Sequence, residues 1–467
     1  MLVRDFSSIR ATSFKDAVSV HQHEYLEEYA MNANPATEQR NTEEQQVMAK
    51  MSRHLLPILV VMFLISFIDR QNVGFAKLQM VHSLGMTEAA FGLASSLFFI
   101  GYLIFEVPST LALHRYGARI WLARIMLTWG LITVLMGFTT SVPVFYGLRF
   151  VLGIAEAGFY PGVIYYLTLW FPQSYRARVL GVFTLGSALA NMLGSLVGGL
   201  LLSLDGAAGL AGWQWVFIAT GLPAVLVGVL VFRILPASYR EARFLNEREK
   251  QVVAAALERE KPANAVHSQP WKALLDPRVM LFAGTYMLMS TSLYGVTYWL
   301  PTIVKSFGVS NTTNGLLSML PWALAVLLLL YLPKRLRHGK SILRTIAIVA
   351  ALGSLGFLLS LLLPTTPLRF IALVLGGACI PLLYPCFWSM PPRYFTGARA
   401  AASVAAINSI GNLGGFFSQN LMPLAGKLTG TAFGPMIVPI ACLALLGLGA
   451  IVAWMRAGEE QLAVARA

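Results

Sequence analysis

The sequence predicts an all-α membrane protein with twelve transmembrane helices in two six-helix pseudo-repeats. Three observations support this fold class. Hydrophobic residues make up 57% of the 467 residues and charged residues only 12%. Apolar runs recur through the chain after His54, and about 20 such residues cross the hydrocarbon core of a bilayer as one helix. Finally, two short motifs of the first half return in the second half at a nearly constant spacing.

The composition also excludes several classes of partner. The 35 basic and 21 acidic side chains give a formal charge of +14. In a soluble protein this excess suggests nucleic acid binding, but here the basic residues lie between apolar spans, where they set membrane topology. We therefore expect a lipid bilayer and no nucleic acid. The cysteines Cys379, Cys386 and Cys442 lie inside spans and form no zinc motif, so we expect no metal and no cofactor.

The first half contains a polar tail and six spans. Residues 1–53 have no apolar signal sequence, and we expect a cytosolic, largely disordered tail. Residues 54–232 form the first predicted bundle. Its spans, numbered 1 to 6, are Leu55–Phe75, Ala89–Leu113, Ile120–Thr140, Pro143–Leu169, Val179–Leu202 and Trp213–Phe232.

The second half follows a polar linker, residues 233–278, in which we expect a short amphipathic helix at the membrane surface. Residues 279–456 form the second predicted bundle, and residues 457–467 form a cytosolic tail. The spans of this bundle, numbered 7 to 12, are Val279–Val304, Leu316–Leu332, Ile342–Leu363, Leu368–Met390, Ala400–Leu424 and Phe433–Met455.

Basic residues in the short loops predict the orientation. One set of loops carries ten of them and the alternate loops carry four. We expect the richer set in the cytosol, which places both termini there and the chain in the inner (plasma) membrane. The ten are Arg115, Arg119, Arg176, Arg178, Lys334, Arg335, Arg337, Lys340, Arg393 and Arg399.

The two halves are related in sequence. His114-Arg-Tyr-Gly-Ala-Arg119 after span 2 resembles Leu336-Arg-His-Gly-Lys-Ser341 after span 8, at an offset of 222 residues. Tyr160-Pro161 likewise matches Tyr384-Pro385 at an offset of 224. Parallel six-span repeats are typical of secondary transporters that rock around a central site, for which a monomer is sufficient.

Six charged residues lie inside the spans of the first half, and no acidic residue lies inside those of the second. An unpaired charge near the bilayer centre costs roughly 2.5–3.5 kcal/mol on an insertion scale, so six are unlikely to be accidental. Arg149 and Glu156 are seven residues apart on one face of span 4, about 10 Å along the helix. Asp69 and Arg70 lie deep in span 1. We interpret these four as the functional set, and the alternative is a structural ion-pair cluster that ties spans 1 and 4 together.

The other two intramembrane charges, Glu106 and Arg124, lie near the cytosolic ends of spans 2 and 3. Their position favours a structural pair that braces the loop containing Arg115 and Arg119, with a gating or structural role for all four residues.

Several motifs together resemble the major facilitator superfamily, and more narrowly its anion:cation symporter family of tartrate, phthalate and hexonate permeases. The resemblance covers roughly residues 53–456. Its motifs are Ile68-Asp-Arg-Gln-Asn-Val-Gly-Phe-Ala76, Phe99-Ile-Gly-Tyr-Leu-Ile-Phe-Glu-Val-Pro-Ser109, His114-Arg-Tyr-Gly-Ala-Arg119, Arg149-Phe-Val-Leu-Gly-Ile-Ala-Glu-Ala-Gly-Phe-Tyr-Pro161, Trp170-Phe-Pro172, Arg176-Ala-Arg178 and Tyr298-Trp-Leu-Pro-Thr-Ile-Val304.

The resemblance implies proton-coupled uptake of a small organic carboxylate by alternating access. It also implies that Arg70 and Arg149 bind the carboxylate and that Asp69 and Glu156 handle the protons. His114 replaces an aspartate that is usual in the superfamily, a change that the tartrate-type branch shares. We expect coupling by competition, in which protonation of Glu156 frees Arg149 for the substrate.

Uncharged side chains should complete the substrate site by shape and hydrogen bonding, although each of them is also a common helix-packing residue. The candidates are Tyr102 on span 2, Asn191 on span 5, Tyr294 and Tyr298 on span 7, Tyr384 and Trp388 on span 10, and Ser409 and Asn412 on span 11.

Other function classes fit less well. An ATP-driven pump needs a phosphate-binding loop, and the string Gly339-Lys-Ser341 lacks the preceding glycine. An enzyme is not expected, because no histidine lies inside a span. A proton-coupled exporter of drugs or metabolites is the main alternative, although it would favour acids without cavity arginines.

Overall fold

The computed structural model describes residues 35–259, 276–331, 339–395 and 397–466, and these segments are helical with short connections. Eleven of the described helical segments are long and apolar enough to cross a membrane. The remaining predicted span, span 11, lies in the 33-residue helix Gly397–Thr429, which is long enough to cross but less apolar. Apart from Leu332 at the end of span 8, the described segments therefore contain all twelve predicted spans, and the all-α fold class is confirmed.

The helices of the first half match the predicted spans closely. Span 4 is divided into two helices, and the others are continuous. In chain order the helices are Pro35–Ser83, Glu88–Tyr116, Ala118–Met136, Val142–Glu156, Phe159–Thr168, Gln173–Leu202 and Gly212–Ile234.

The second half follows the same order, with span 8 divided into two helices. Residues 332–338, which include Lys334, Arg335, Arg337 and the first half of the repeated motif at Leu336–Ser341, lie outside the described residues. The helices are Pro277–Lys305, Asn311–Ser318, Leu320–Tyr331, Gly339–Leu362, Thr366–Trp388, Pro391–Tyr394, Gly397–Thr429 and Ile437–Arg466.

The prediction of a disordered tail through residue 53 is wrong for its last part. The helix that contains span 1 already begins at Pro35, and residues 1–34 lie outside the described segments. Val47, Met48 and Met51 are buried, so an apolar face stabilises this extension. This segment is polar overall, so its composition did not reveal the narrow apolar face.

The linker contains the predicted helix, Glu247–Glu258, which we call the linker helix. It begins with a capping box, because Asn246 and Glu249 each accept a hydrogen bond from the other's backbone N–H. Glu249 also pairs with Lys50 of the tail extension at 2.8 Å. The linker helix is thereby held against the first half.

The two halves are in close contact at the end of the bundle opposite the linker, which we call the far end. An added Cβ at Gly74 in span 1 would lie 2.8 Å from the carbonyl oxygen of Tyr298 in span 7. Gly199 in span 5 approaches Gly315 in span 8 in the same way. Only glycine permits such backbone contact, so the halves are closed at the far end.

A buried lysine reinforces this closure. Lys77 near the end of span 1 is 2% exposed and forms a 2.6 Å ion pair with Glu88 of span 2. Its ammonium group also lies 3.4 Å from the ring centroid of Trp299 and 3.3 Å from the hydroxyl of Thr302, both in span 7. One cation therefore joins two helices of the first half to the second half.

Candidate functional site

A cavity of about 100 Å³ lies between the two halves. On span 1 its lining residues are Phe63, Ser66, Phe67 and Arg70, so Arg70 is the one farthest from the linker end. Because the far end is closed beyond Arg70, the cavity extends from the middle of the bundle towards the linker end.

Most of the predicted substrate residues line this cavity. Three of the predicted residues do not, namely Arg149, Tyr298 and Ser409. The predicted residues that do are Arg70, Tyr102, Asn191, Tyr294, Tyr384, Trp388 and Asn412.

Arg70 is the one charged residue among the described lining residues. Its Nε donates to Glu156 Oε1 at 2.6 Å, and its Nη1 donates to the hydroxyl of Tyr294 in the second half at 2.9 Å. The guanidinium carbon lies 5.2 Å from the ring centroid of Tyr102 and 5.6 Å from that of Phe98. The Arg70 side chain is 12% exposed, so it is held from several sides yet still open to the cavity.

A break in span 4 determines where Glu156 lies. Pro161 has no N–H, so the carbonyl of Ala157 has no partner one turn later in the helix. The Ser109 hydroxyl in span 2 donates to this carbonyl at 2.6 Å instead. Gly158 adopts the left-handed conformation, with φ of 84°, and the first helix ends at Glu156. The Glu156 carboxylate is thereby presented to Arg70 from a helix end.

The expected competition between Glu156 and Arg149 is wrong in its choice of arginine. Glu156 is paired with Arg70 of span 1, and the described residues contain no ion pair that involves Arg149. The shared helix face brings Arg149 and Glu156 to the same side of span 4. It does not bring them into contact, because seven residues separate them by two helical turns.

Arg149 is instead buried beneath the cavity, towards the far end, and is 1% exposed. Its Nη2 lies 3.5 Å from the backbone oxygen of Ser95, its guanidinium carbon lies 5.1 Å from the ring centroid of Phe98, and the Tyr298 hydroxyl lies next to it. Its Nε has no hydrogen-bond partner among the described residues. A guanidinium that is buried without an ion-pair partner among the described residues is costly, so its burial needs an explanation beyond packing.

Asp69 points away from the cavity, into the first half. Its two carboxylate oxygens accept hydrogen bonds from Asn72 at 3.0 Å and from Thr133 of span 3 at 3.1 Å. Asn72 also donates to Thr220 of span 6 at 2.9 Å. The adjacent residues Asp69 and Arg70 therefore face different surroundings, because neighbouring helix positions differ by about 100°.

The expected pair of Glu106 and Arg124 does not form. The Glu106 side chain contacts the second half, where its carboxylate accepts hydrogen bonds from Asn408 at 3.1 Å and from Ser409, both on span 11. Glu106 is 6% exposed, so this contact is buried. Ser409, predicted to bind substrate, therefore binds Glu106 behind the cavity wall, whereas Asn408 lines the cavity.

The arginines near the loop after span 2 contact aromatic rings. The guanidinium carbon of Arg124 lies 3.9 Å from the Trp121 ring centroid. The guanidinium carbon of Arg119 lies 5.6 Å from the Phe232 ring centroid, and that of Arg115 lies 5.6 Å from the Tyr116 ring centroid. These contacts fit a structural role for all three arginines, but through rings and not through a carboxylate.

Sequence reasoning missed several lining residues. Phe63, Phe183 and Tyr286 carry no charge or recognisable motif, and a buried aromatic residue in a membrane helix is ordinary. Asn408 was detectable, because it is a polar residue one turn before Asn412 on the same helix. Lys77 is one of the four basic residues that the sequence assigns to the alternate loops, and its burial between the two halves was not predicted.

Comparisons with known proteins agree with this architecture. Residues 59–419 match the family model of the Major Facilitator Superfamily. The chain is 41% identical over 390 residues to a "Quinolone resistance transporter" of Acinetobacter baumannii, covering 83% of this chain and 90% of that protein. It is 39% identical over 395 residues to a "Putative tartrate transporter" of Agrobacterium vitis, with 84% and 90% covered.

A solved structure shares the fold at low sequence identity. A bacterial homologue of the human lysosomal transporter Spinster, in an inward-facing and unoccupied conformation, superposes with a TM-score of 0.65. The superposition covers 88% of this chain and 96% of that chain, with 14% sequence identity. The family and the fold are those of transporters.

Proposed function

From the premise that this chain belongs to the Major Facilitator Superfamily, we propose that it takes up a small organic carboxylate together with protons. The observation that carries this proposal is Arg70, a cavity-lining cation that is held by a buried carboxylate from another helix. The relative named as a putative tartrate transporter supports an organic anion as the substrate.

The geometry of Arg70 suits carboxylate recognition. A guanidinium stays charged and offers paired N–H donors that match the two oxygens of a carboxylate. In the described structure Arg70 Nε donates to Glu156 Oε1 and Nη1 donates to the Tyr294 hydroxyl. Nη2 has no partner among the described residues. A substrate carboxylate that binds side-on, to Nε and Nη2, can therefore form a bidentate contact only by displacing Glu156 Oε1, because Nε has a single N–H.

Coupling follows from that competition. Glu156 is 1% exposed, and its second carboxylate oxygen has no hydrogen-bond partner among the described residues. Protonation of Glu156 removes its charge and weakens its hold on Arg70, so that the substrate anion binds more tightly. Proton and substrate then favour the same state of the carrier, which is the thermodynamic requirement for symport.

Arg149 and Asp69 have supporting roles in this scheme. Arg149 lies on the far-end side of the cavity floor, and we propose that it meets the substrate when the far end is open. Asp69 is surrounded by the neutral donors of Asn72 and Thr133. We propose that it handles the same coupled proton as Glu156, within the first half and at some distance from the substrate.

We also propose the predicted orientation, with both termini and the linker in the cytosol of a bacterial-type inner membrane. Since the cavity extends towards the linker end, the described conformation is then inward-facing. Attachment of an impermeant tag near Arg259, tested on intact and on permeabilised cells, checks this point, and labelling of intact cells from outside would overturn it.

A second candidate function is proton-coupled export of a drug or metabolite. It rests on the relative named as a quinolone resistance transporter. The two functions differ in the direction of coupling. A symporter accumulates substrate on the side to which protons flow, whereas an antiporter depletes it there.

Purified protein in proteoliposomes tests the proposal. With an inward proton gradient, radiolabelled carboxylate should accumulate, a protonophore should abolish accumulation, and Arg70→Lys should abolish it as well. Arg278→Lys, at an exposed position at the start of span 7, is the matched control and should transport normally. Accumulation driven by Na⁺ without a proton gradient, or full activity of Arg70→Lys, would contradict the proposal.

A further inference from the structure

The walls of the cavity are unusually aromatic. Ten of the nineteen described lining residues carry an aromatic ring, and only one carries a charge. The rings come from both halves of the bundle, so the cavity is bounded by aromatic surface on two sides. This composition restricts which carboxylates fit, beyond the general anion preference proposed above.

The wall contributed by the first half is built around Phe63. Its ring centroid lies 4.7 Å from that of Phe67, 5.0 Å from that of Phe183 and 6.3 Å from that of Tyr160. Phe67 precedes Arg70 by one helical turn, so this ring surface leads directly to the guanidinium. A flat apolar group that is joined to a carboxylate would lie along it.

The wall contributed by the second half is built around Tyr286. Its ring centroid lies 5.1 Å from that of Trp388 and 5.8 Å from that of Tyr384, with near-perpendicular planes. Aromatic rings in such offset and edge-to-face arrangements favour a further ring over a saturated group of equal size. The two walls together form a site for a planar ring.

The charge of the cavity limits the number of carboxylates. Arg70 is the one charged residue among the described lining residues, and it already forms an ion pair with Glu156. In this conformation a second carboxylate on the substrate would find neutral side chains such as Asn408 and Asn412 but no second cation, which is unfavourable. The cavity therefore suits a monocarboxylate better than a dicarboxylate such as tartrate or phthalate.

One buried acceptor lacks a donor. Asn191 in span 5 is 3% exposed and lines the cavity, and its Nδ2 donates to the Ser187 backbone oxygen at 2.9 Å. This bond fixes the orientation of the amide, and Asn191 Oδ1 has no partner among the described residues. A buried acceptor that lacks a donor is costly, and because Oδ1 is covered in this conformation, a small movement of the Asn191 side chain would let a donor on the substrate satisfy it.

We propose, building on the function proposed above, that the substrate is an aromatic monocarboxylate whose ring carries one hydrogen-bond donor. The carboxylate binds Arg70, the ring lies between the walls around Phe63 and Tyr286, and a ring hydroxyl or N–H donates to Asn191 Oδ1.

Binding of a matched panel to the purified wild-type protein tests this, by calorimetry or thermal shift. The panel contains 4-hydroxybenzoate, benzoate, cyclohexanecarboxylate, phthalate and tartrate. Benzoate should bind at least about threefold more tightly than cyclohexanecarboxylate, because only the former has a π system. 4-Hydroxybenzoate should bind more tightly still, by about threefold to tenfold, because of the bond to Asn191.

The outcomes separate this inference from the proposed function. If tartrate or phthalate binds most tightly and still requires Arg70, the aromatic assignment is overturned while carboxylate transport stands. If no carboxylate of the panel shows binding that Arg70→Lys abolishes, the proposed function fails. Equal affinities for benzoate and cyclohexanecarboxylate would also overturn the aromatic assignment.

A variant tests the donor separately. In Asn191→Ala the preference for 4-hydroxybenzoate over benzoate should fall towards one, because the acceptor is gone. Asn191→Asp, which keeps an acceptor oxygen, should retain part of the preference. If Asn191→Ala still binds benzoate and keeps the full preference for 4-hydroxybenzoate, Asn191 does not accept a hydrogen bond from the ring donor.

Discussion

Replacement of Glu156 by glutamine should separate substrate binding from proton coupling. Glu156→Gln removes the carboxylate charge that holds Arg70 at 2.6 Å while keeping the size of the side chain. A hydrogen bond to a charged group contributes about 1.5–3 kcal/mol. The glutamine oxygen can still accept from Arg70, but a neutral acceptor contributes only about 0.5–1.5 kcal/mol, so the competitor is weakened by about 1–1.5 kcal/mol. Since about 1.4 kcal/mol corresponds to a factor of ten in affinity, substrate binding should tighten by roughly 5- to 10-fold at neutral pH.

The same variant should lose accumulation. Without a titratable group at this position, a proton gradient no longer changes the availability of Arg70, so uptake in proteoliposomes should reach equilibrium and stop there. Wild-type affinity should rise as the pH is lowered, because protonation of Glu156 releases Arg70. The affinity of the variant should stay constant over the same range.

The assay needs a matched control and a double variant. Glu247→Gln alters an exposed carboxylate of the linker helix, paired with Lys250, and should change neither affinity nor accumulation. Arg70→Lys should weaken binding, and the gain from Glu156→Gln should disappear in the double variant because the two residues act on one contact. If Glu156→Gln still concentrates substrate in response to a proton gradient, the competition mechanism is wrong.

Three further predictions follow from contacts outside the cavity. Lys77→Met should loosen the far end and raise maleimide labelling of a cysteine introduced by Thr302→Cys by roughly tenfold, the effect of about 1.4 kcal/mol; unchanged labelling would contradict a closing role for Lys77. Glu106→Gln replaces two charge-assisted bonds to span 11 by neutral ones and should lower the free energy of unfolding by about 1–2 kcal/mol in a detergent melt; a more stable variant would show that the buried charge is a net cost. Lys50→Glu should increase hydrogen exchange in the linker helix, whereas Lys50→Arg, which keeps the positive charge, should leave it nearly unchanged; unchanged exchange in Lys50→Glu would exclude the ion pair as the contact that holds the helix.

The spans and the family could be predicted from the sequence, because the bilayer imposes a length and an apolar composition on each crossing helix. The presence of Arg70 and Glu156 at the candidate site was also predictable, because charged residues are costly inside a membrane and are rarely kept without a partner. The repeated motifs and the resemblance indicated the architecture before any contact was known.

The pairing of these charges was decided by the tertiary structure. Sequence spacing placed Arg149 and Glu156 on one helix face and suggested that they compete, and it suggested that Glu106 pairs with Arg124. The actual partners, Arg70 for Glu156 and span 11 for Glu106, come from other helices.

Helix rotation and relative position along the membrane normal determine such partners, and both depend on packing. Gly101 and Gly153, for example, allow the backbones of spans 2 and 4 to touch, which sets how span 4 faces its neighbours. The break at Gly158 then ends the helix at Glu156. The sequence by itself therefore determined which residues carry the charge, and only the packing of helices distant in the chain decided which charges meet.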